Sequence, residues 1–141
     1  MSTRSTIGLQ HEDGTVEAIY CHFDGYLEGV GATLNTHYTE LSKIQELIDL
    51  GNISILREDI GLAQDFDKPI EDTWTLAYGR DRGEINQEAV TYENRRKWIQ
   101  ESSDWLEYAY LWDGDSWYMT KLGTEWEEVK IELKTQEGAN A

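Results

Sequence analysis

The sequence predicts a single α+β domain: an antiparallel sheet built from two hairpins and a middle strand, with helices packed on one face. Three observations predict it. The chain has 141 residues, and domains usually run to about 100–150. Two Asp-Gly pairs, Asp13-Gly14 and Asp113-Gly114, each separate stretches rich in aromatic and β-branched residues, the pattern of a hairpin. Between them lie segments with apolar residues at helical spacing. The domain is expected over residues 1–135, with 136–141 as a frayed C-terminal tail.

Residues 6–23 read as the first hairpin, and alternation from a two-residue Asp13-Gly14 turn groups Ile7 and Leu9 with Val16, Ala18 and Tyr20. Residues 27–50 read as helical in two pieces. Val30, Leu34, Tyr38 and Leu41 recur at spacings of four, four and three, one face of a helix. Ser42 with Gln45 fits a capping box for the second piece, Ile44, Leu47 and Ile48 make its stripe, and Gly51 stands where a C-terminal glycine belongs. Residues 53–72 are weakly patterned, with a surface loop at Asp65–Pro69. A strand follows over Thr73–Tyr78. Residues 84–101 have helical composition, with Ile85, Ala89, Tyr92 and Ile99 as a loose stripe. In the second hairpin, Tyr108, Tyr110, Trp112, Trp117 and Met119 share one side whether the loop has two residues or four, because the pairing shifts by two. Residues 125–134 fit either a strand or a short helix.

Composition excludes several classes of function. Twenty-eight acids stand against 12 bases, a formal charge of −16. Nucleic-acid binders gain affinity from Lys and Arg on phosphates, and an anionic membrane repels such a chain for the same reason. The N-terminus lacks the apolar core of a signal peptide, and no apolar run reaches the ~20 residues of a membrane span, so a soluble cytoplasmic protein is expected. Cys21 is the one cysteine, which excludes an internal disulfide and any zinc site on paired thiolates. No cofactor and no metal site is predicted.

The charge is spread along the chain. Residues 1–72 carry 14 acids and four bases, residues 73–141 carry 14 and eight, and 101–128 hold eight acids and one base. Glu101, Asp104, Glu107, Asp113, Asp115, Glu125, Glu127 and Glu128 therefore form a candidate protein-binding surface. Carboxylates on ordered elements can imitate a duplex, which presents roughly one negative charge per ~1.7 Å of axis. The plainer reading is that they keep the protein soluble.

Three other clusters carry chemistry. In Tyr20-Cys21-His22-Phe23-Asp24, strand geometry sends Cys21 and His22 to opposite faces, so they do not pair as nucleophile and base. His22 and Asp24 can share a face and handle a proton; the plainer reading is a turn at Asp24-Gly25 and a small buried hydrophobe at Cys21. Arg80 and Arg82 lie between Gly79 and Gly83 just before expected helix, a grip for an anionic ligand such as a nucleotide, or else a turn in which both pair with neighbouring acids. Asp113-Gly114-Asp115 has the oxygens of a calcium loop but Gly123 and Thr124 where the EF-hand pattern needs its last ligand, and a hairpin turn suffices.

The segments Ser2–Ile7, Ile19-Tyr20-Cys21-His22-Phe23-Asp24-Gly25-Tyr26, Gly29-Val30-Gly31, His37-Tyr38 and Ala77–Glu84, with the hairpin around Tyr108–Trp112, resemble a family of small, uncharacterised proteins encoded in bacteriophages and prophages. The resemblance spans most of the chain and brings no established activity, so no site residue is carried over. It implies a genomic setting in which small acidic proteins block host defences. The expected function is thus a phage-type accessory protein that inhibits a host defence or nucleic-acid-handling protein through its acidic surface, without binding nucleic acid or membrane itself. The alternative is a binder of, or enzyme acting on, a nucleotide or other anionic ligand, using Arg80 and Arg82 with His22 and Asp24. Self-association is left open.

Overall fold

The computed structural model describes residues 3–122 and 127–131. Its centre is an eight-stranded mixed sheet. The strands are β1 (Ser5–Gln10), β2 (Val16–Cys21), β3 (Ile53–Ile55), β4 (Leu76–Ala77), β5 (Val90–Tyr92), β6 (Tyr108–Trp112), β7 (Trp117–Lys121) and β8 (Glu127–Lys130). They run in the order β4-β3-β2-β1-β6-β7-β8, and β5 pairs with β2. The helices are α1 (Ala32–His37), entered through a π-helical turn at Leu27–Gly31, α2 (Leu41–Leu50), α3 (Tyr78–Arg82) and α4 (Arg95–Ser102). The α+β class stands. The sheet is mixed, however, because β1 pairs with β6 and β2 with β3 in parallel.

The first hairpin shows how one residue of loop redirects a strand. The amide of Gly14 donates to the carbonyl of His11, that of His11 to Thr15, and Gly14 has φ +91°. This is a three-residue loop closed by a left-handed glycine. Ile7 therefore opposes Ile19 and Leu9 opposes Glu17, a slip of one from the two-residue turn. Because side chains alternate, that slip sends Val16, Ala18 and Tyr20 to the face opposite Ile7 and Leu9. In the second hairpin the four-residue loop pairs Tyr110 with Met119 and Trp112 with Trp117, so its five large side chains share a face.

The two faces carry two cores. One joins Ile7, Leu9, Ile19, Cys21, Tyr110, Trp112 and Trp117 to Val30, Leu34 and Tyr38 and to Ile44, Leu47 and Ile48 of α2. The Trp117 indole donates to the Tyr38 carbonyl at 2.7 Å and the Tyr110 hydroxyl to the Gly25 carbonyl at 2.6 Å. The other joins Val16, Ala18, Ala109 and Leu111 to Trp98 and Ile99 of α4. A Cβ at Gly8 would lie 3.0 Å from the Trp98 ring and 2.9 Å from Val16, so the strand is bare where the indole lies on it. Helices thus cover both faces, not one, because β2 and β6 carry apolar residues on both sides and β1 sets Gly8 beneath Trp98.

Other expectations change for local reasons. Leu41 is 60% exposed, because α1 ends at His37 with Tyr38 as its C-cap and Leu41 opens α2 instead. Ser42 lies inside α2, whose N-cap is Glu40 with no side-chain cap. The middle strand shrinks to Leu76–Ala77, with Tyr78 opening α3. The 84–101 helix begins only at Arg95, where Asn94 accepts from the Lys97 amide at 2.8 Å; Ile85 is 80% exposed. Residues 127–130 are strand, and the expected tail lies outside the described residues. Among the described residues, no helix is long and apolar enough to cross a membrane.

Candidate functional site

Parallel pairing of β1 with β6 sets Leu9 against Trp112. The turns that follow the two strands therefore emerge side by side at one end of the sheet. An open groove of about 990 Å³ lies there, lined by His11, Glu12, Asp13, Leu41, Asp113 and Gly114 among others. Both Asp-Gly turns are built by their aspartates. Asp13 Oδ1 accepts from the Thr15 amide at 3.0 Å and its hydroxyl at 2.7 Å, and Asp113 Oδ1 accepts from the amides of Asp115 and Ser116, both at 2.9 Å. The Thr15 bonds hold the Asp13 carboxyl below its ordinary range. Partial burial pushes Asp113 up, but the Ser116 and Asp115 amides outweigh it and leave this carboxyl lowered too. Both stay charged at neutral pH. Glu12 and Asp115 are exposed beside them, and His11 is bonded to Glu17 at 2.9 Å.

The 101–128 acids do not form one patch. Glu107 and Asp113 flank β6, six positions and so roughly 20 Å apart at ~3.3 Å per residue. Exposed Glu101, Asp104 and Glu107 gather at the far end, where Glu107 accepts the Arg4 amide at 3.0 Å and Glu101 lies 4.0 Å from Lys97. Asp113 lines the groove, and Asp115 is exposed in the same turn. Glu125 lies outside the described residues; Glu127 and Glu128 stand in β8 opposite Lys121 and Thr120. Sequence reasoning missed Glu12 and Asp13 as members of the site. Their nearness to Asp113 comes from a parallel pairing between segments about a hundred residues apart, which no local pattern announces.

Arg80 and Arg82 have internal partners. Arg80 Nε donates to Asp81 Oδ1 at 2.8 Å, Nη1 to the carbonyls of Ile60 and Gly61, and Nη2 to the Thr75 carbonyl and Asp81 Oδ2. All five guanidinium N–H groups are thereby used. Arg82 pairs with Glu84 and lies over the rings of Phe66 and Tyr78, 4.5 and 5.0 Å from their centroids. Both arginines lie inside α3, not in a turn ahead of a helix; the expected pairing with neighbouring acids is present, and no N–H of Arg80 is left to grip an anion.

His22 and Asp24 are not bonded to each other. His22 Nδ1 meets the Tyr20 hydroxyl at 2.5 Å, its ring packs on Phe23, and Tyr20 stacks on Trp105 at 5.1 Å. Asp24 has φ +57° and its carbonyl accepts the Val30 amide at 2.8 Å, so it is turn chemistry. Cys21 points into the core opposite His22, and burial pushes its thiol up to about 12. Among the described residues, no group of three or more His, Cys, Asp or Glu side chains is placed to hold a metal ion.

Three further cations are turned onto the protein's own oxygens. Lys43 Nζ donates to the carbonyls of His37 and Glu58, Arg57 Nη1 to that of Asp72, and Arg95 Nη2 to Gln10 Oε1. Among the described residues with assigned burial, Asp81 is the one buried acid. Arg4, Lys68, Arg96, Lys97, Lys121 and Lys130 are exposed, so the surface is mixed in sign with acids in excess. No protein-family model, curated protein or solved structure matches the chain.

Proposed function

We propose that the chain acts by binding, as a phage-type accessory protein whose acidic surface occupies a basic site on a host nucleic-acid-handling or defence protein. The observation that carries this reading is the pair of aspartate-built turns side by side at one sheet end, which hold Glu12, Asp13 and Asp113 around a groove, with Asp115 exposed in the second turn. Fixed carboxylates of this kind meet Lys and Arg without first ordering themselves, and a field of one sign speeds encounter with a basic partner. Glu101, Asp104 and Glu107 extend the field at the opposite end. Catalysis finds less support: the Cys21 thiol is buried and the His22 imidazole is engaged with Tyr20.

The test replaces the groove's charges while keeping its bonds. In the variant Glu12→Gln, Asp13→Asn, Asp113→Asn and Asp115→Asn, the amide oxygens at 13 and 113 can still accept the turn N–H groups, so circular dichroism should be unchanged. Affinity for the basic partner should fall about 10- to 100-fold, given up to roughly 1 kcal/mol for each rim charge. Affinity equal to that of the unaltered chain would refute the groove as the contact.

A further inference from the structure

We infer that residues 56–75, the connection from β3 to β4, form a preorganised docking loop whose exposed Leu62 and Ile70, set among carboxylates, engage a basic amphipathic segment of a partner protein. The inference rests on the reading that the chain acts by binding, and assigns that binding a second surface, apart from the hairpin groove.

The connection spans 20 residues, with only the isolated bridges Asp59↔Trp74 and Asp65↔Lys68 as regular pairing. Loops beyond about 12–15 residues are uncommon in compact domains and usually functional. This one is held from beneath. Arg80 grips the carbonyls of Ile60, Gly61 and Thr75, and Asp81 accepts the Gln64 and Ala77 amides at 3.0 and 2.8 Å. The Gln64 side chain donates to the Thr75 carbonyl at 3.3 Å and accepts the Ile70 amide at 2.9 Å. Gln64, Thr75 and Asp81 are all buried. A buried ion pair returns little net stability for its desolvation; this one fixes the shape of a loop.

The loop then presents what a core would hide. Ile60 is turned inward, whereas Leu62 and Ile70 are 70% and 64% exposed. Ile70 is tied by its amide to Gln64, two residues from Leu62, so both side chains belong to the same pinned segment. Residues 58–72 hold six acids and one lysine. Such a field repels nucleic acid and anionic membrane and attracts cations, while two apolar side chains need an apolar stripe to cover them. A segment with Lys or Arg flanking Leu-like residues supplies both. Because the loop is already ordered, little conformational freedom is lost on binding.

The probe is a synthetic helical peptide with leucines at i, i+3 and i+4 among lysines, compared with an all-lysine peptide of equal charge. It is titrated into the ¹⁵N-labelled chain, into Leu62→Ser/Ile70→Ser, and into the four-site groove variant. Thermal melting of the double variant should be unchanged, since both side chains are exposed. Shifts should fall on residues 58–72, the double variant should bind the amphipathic peptide about 10- to 100-fold more weakly, and the groove variant should keep loop binding. Shifts confined to the two hairpin turns, or equal affinity of the double variant, would overturn the docking loop while leaving the acidic groove standing. Self-association in sedimentation velocity that disappears in the double variant would overturn it in favour of a second copy of the chain.

Discussion

Replacing Asp81 by alanine should destabilise the protein by about 3–5 kcal/mol, the cost of leaving a buried guanidinium without its counter-charge. The Arg80 side chain is 17% exposed and Asp81 fully buried, so water cannot step in for the missing carboxylate. The same change strands the amides of Gln64 and Ala77, which Asp81 now satisfies. Urea unfolding measures the loss, and hydrogen exchange locates it: protection should fall first across residues 56–77. The double variant Arg80→Ala/Asp81→Ala should lose less than the two single losses combined, because it leaves no unpaired charge. Arg80→Lys should fail to restore the loop, since an ammonium lacks the planar fork that reaches three carbonyls and a carboxylate. A loss below about 1 kcal/mol for Asp81→Ala, within the range of an exposed pair, would contradict the structure.

Alkali should unfold the protein over a defined window. Burial raises the Cys21 thiol from its ordinary 9.0 to about 12 and, partly offset by a bond to Thr75, the Tyr38 hydroxyl from 10.0 to about 12; burial pushes Tyr110 up as well. Each group holds its proton more tightly folded than unfolded. The stability this represents is complete below pH 9, where both states are protonated, and is lost as the pH rises towards 12 and the unfolded chain alone ionises. For Cys21 that is about 4 kcal/mol at ~1.36 kcal/mol per unit. Urea titrations at pH 8, 10 and 11.5 should show the decline. Cys21→Ala should start less stable, because the core loses volume, yet decline less over the same window. An equal decline in both proteins would show that the thiol does not ionise on unfolding as the buried site requires.

How far the sequence reveals this molecule depends on the range of the interaction that decides each feature. The Asp-Gly turns are local, and both hairpins follow from them. The face of the second survives uncertainty in loop length, because a shift by two preserves the alternation, while the first fails because its loop is longer by one residue. Val30, Leu34 and Tyr38 reveal a buried helical face, whereas Leu41 repeats the period after the helix has ended. β3 and β5 have three residues each, too few to show any period, and exist because β2 offers them an edge. Arg80 between glycines admits two readings from sequence; the neighbouring Asp81 and three carbonyls drawn from residues 60–75 decide its role. Glu12 and Asp13 join Asp113 only through the parallel pairing of β1 and β6, which is a property of the whole chain.

On the proposed function, exposed carboxylates held on ordered turns and loops bring this protein to a basic partner. Association kinetics at 10 mM and 150 mM salt test it most directly, since the screening length shrinks from about 30 Å to about 8 Å between them. The association rate with the partner should fall by at least about tenfold, the lower end of what steering supplies, while the dissociation rate changes far less, and duplex DNA or heparin should compete. An association rate that does not respond to salt, with no competition from either polyanion, would contradict it.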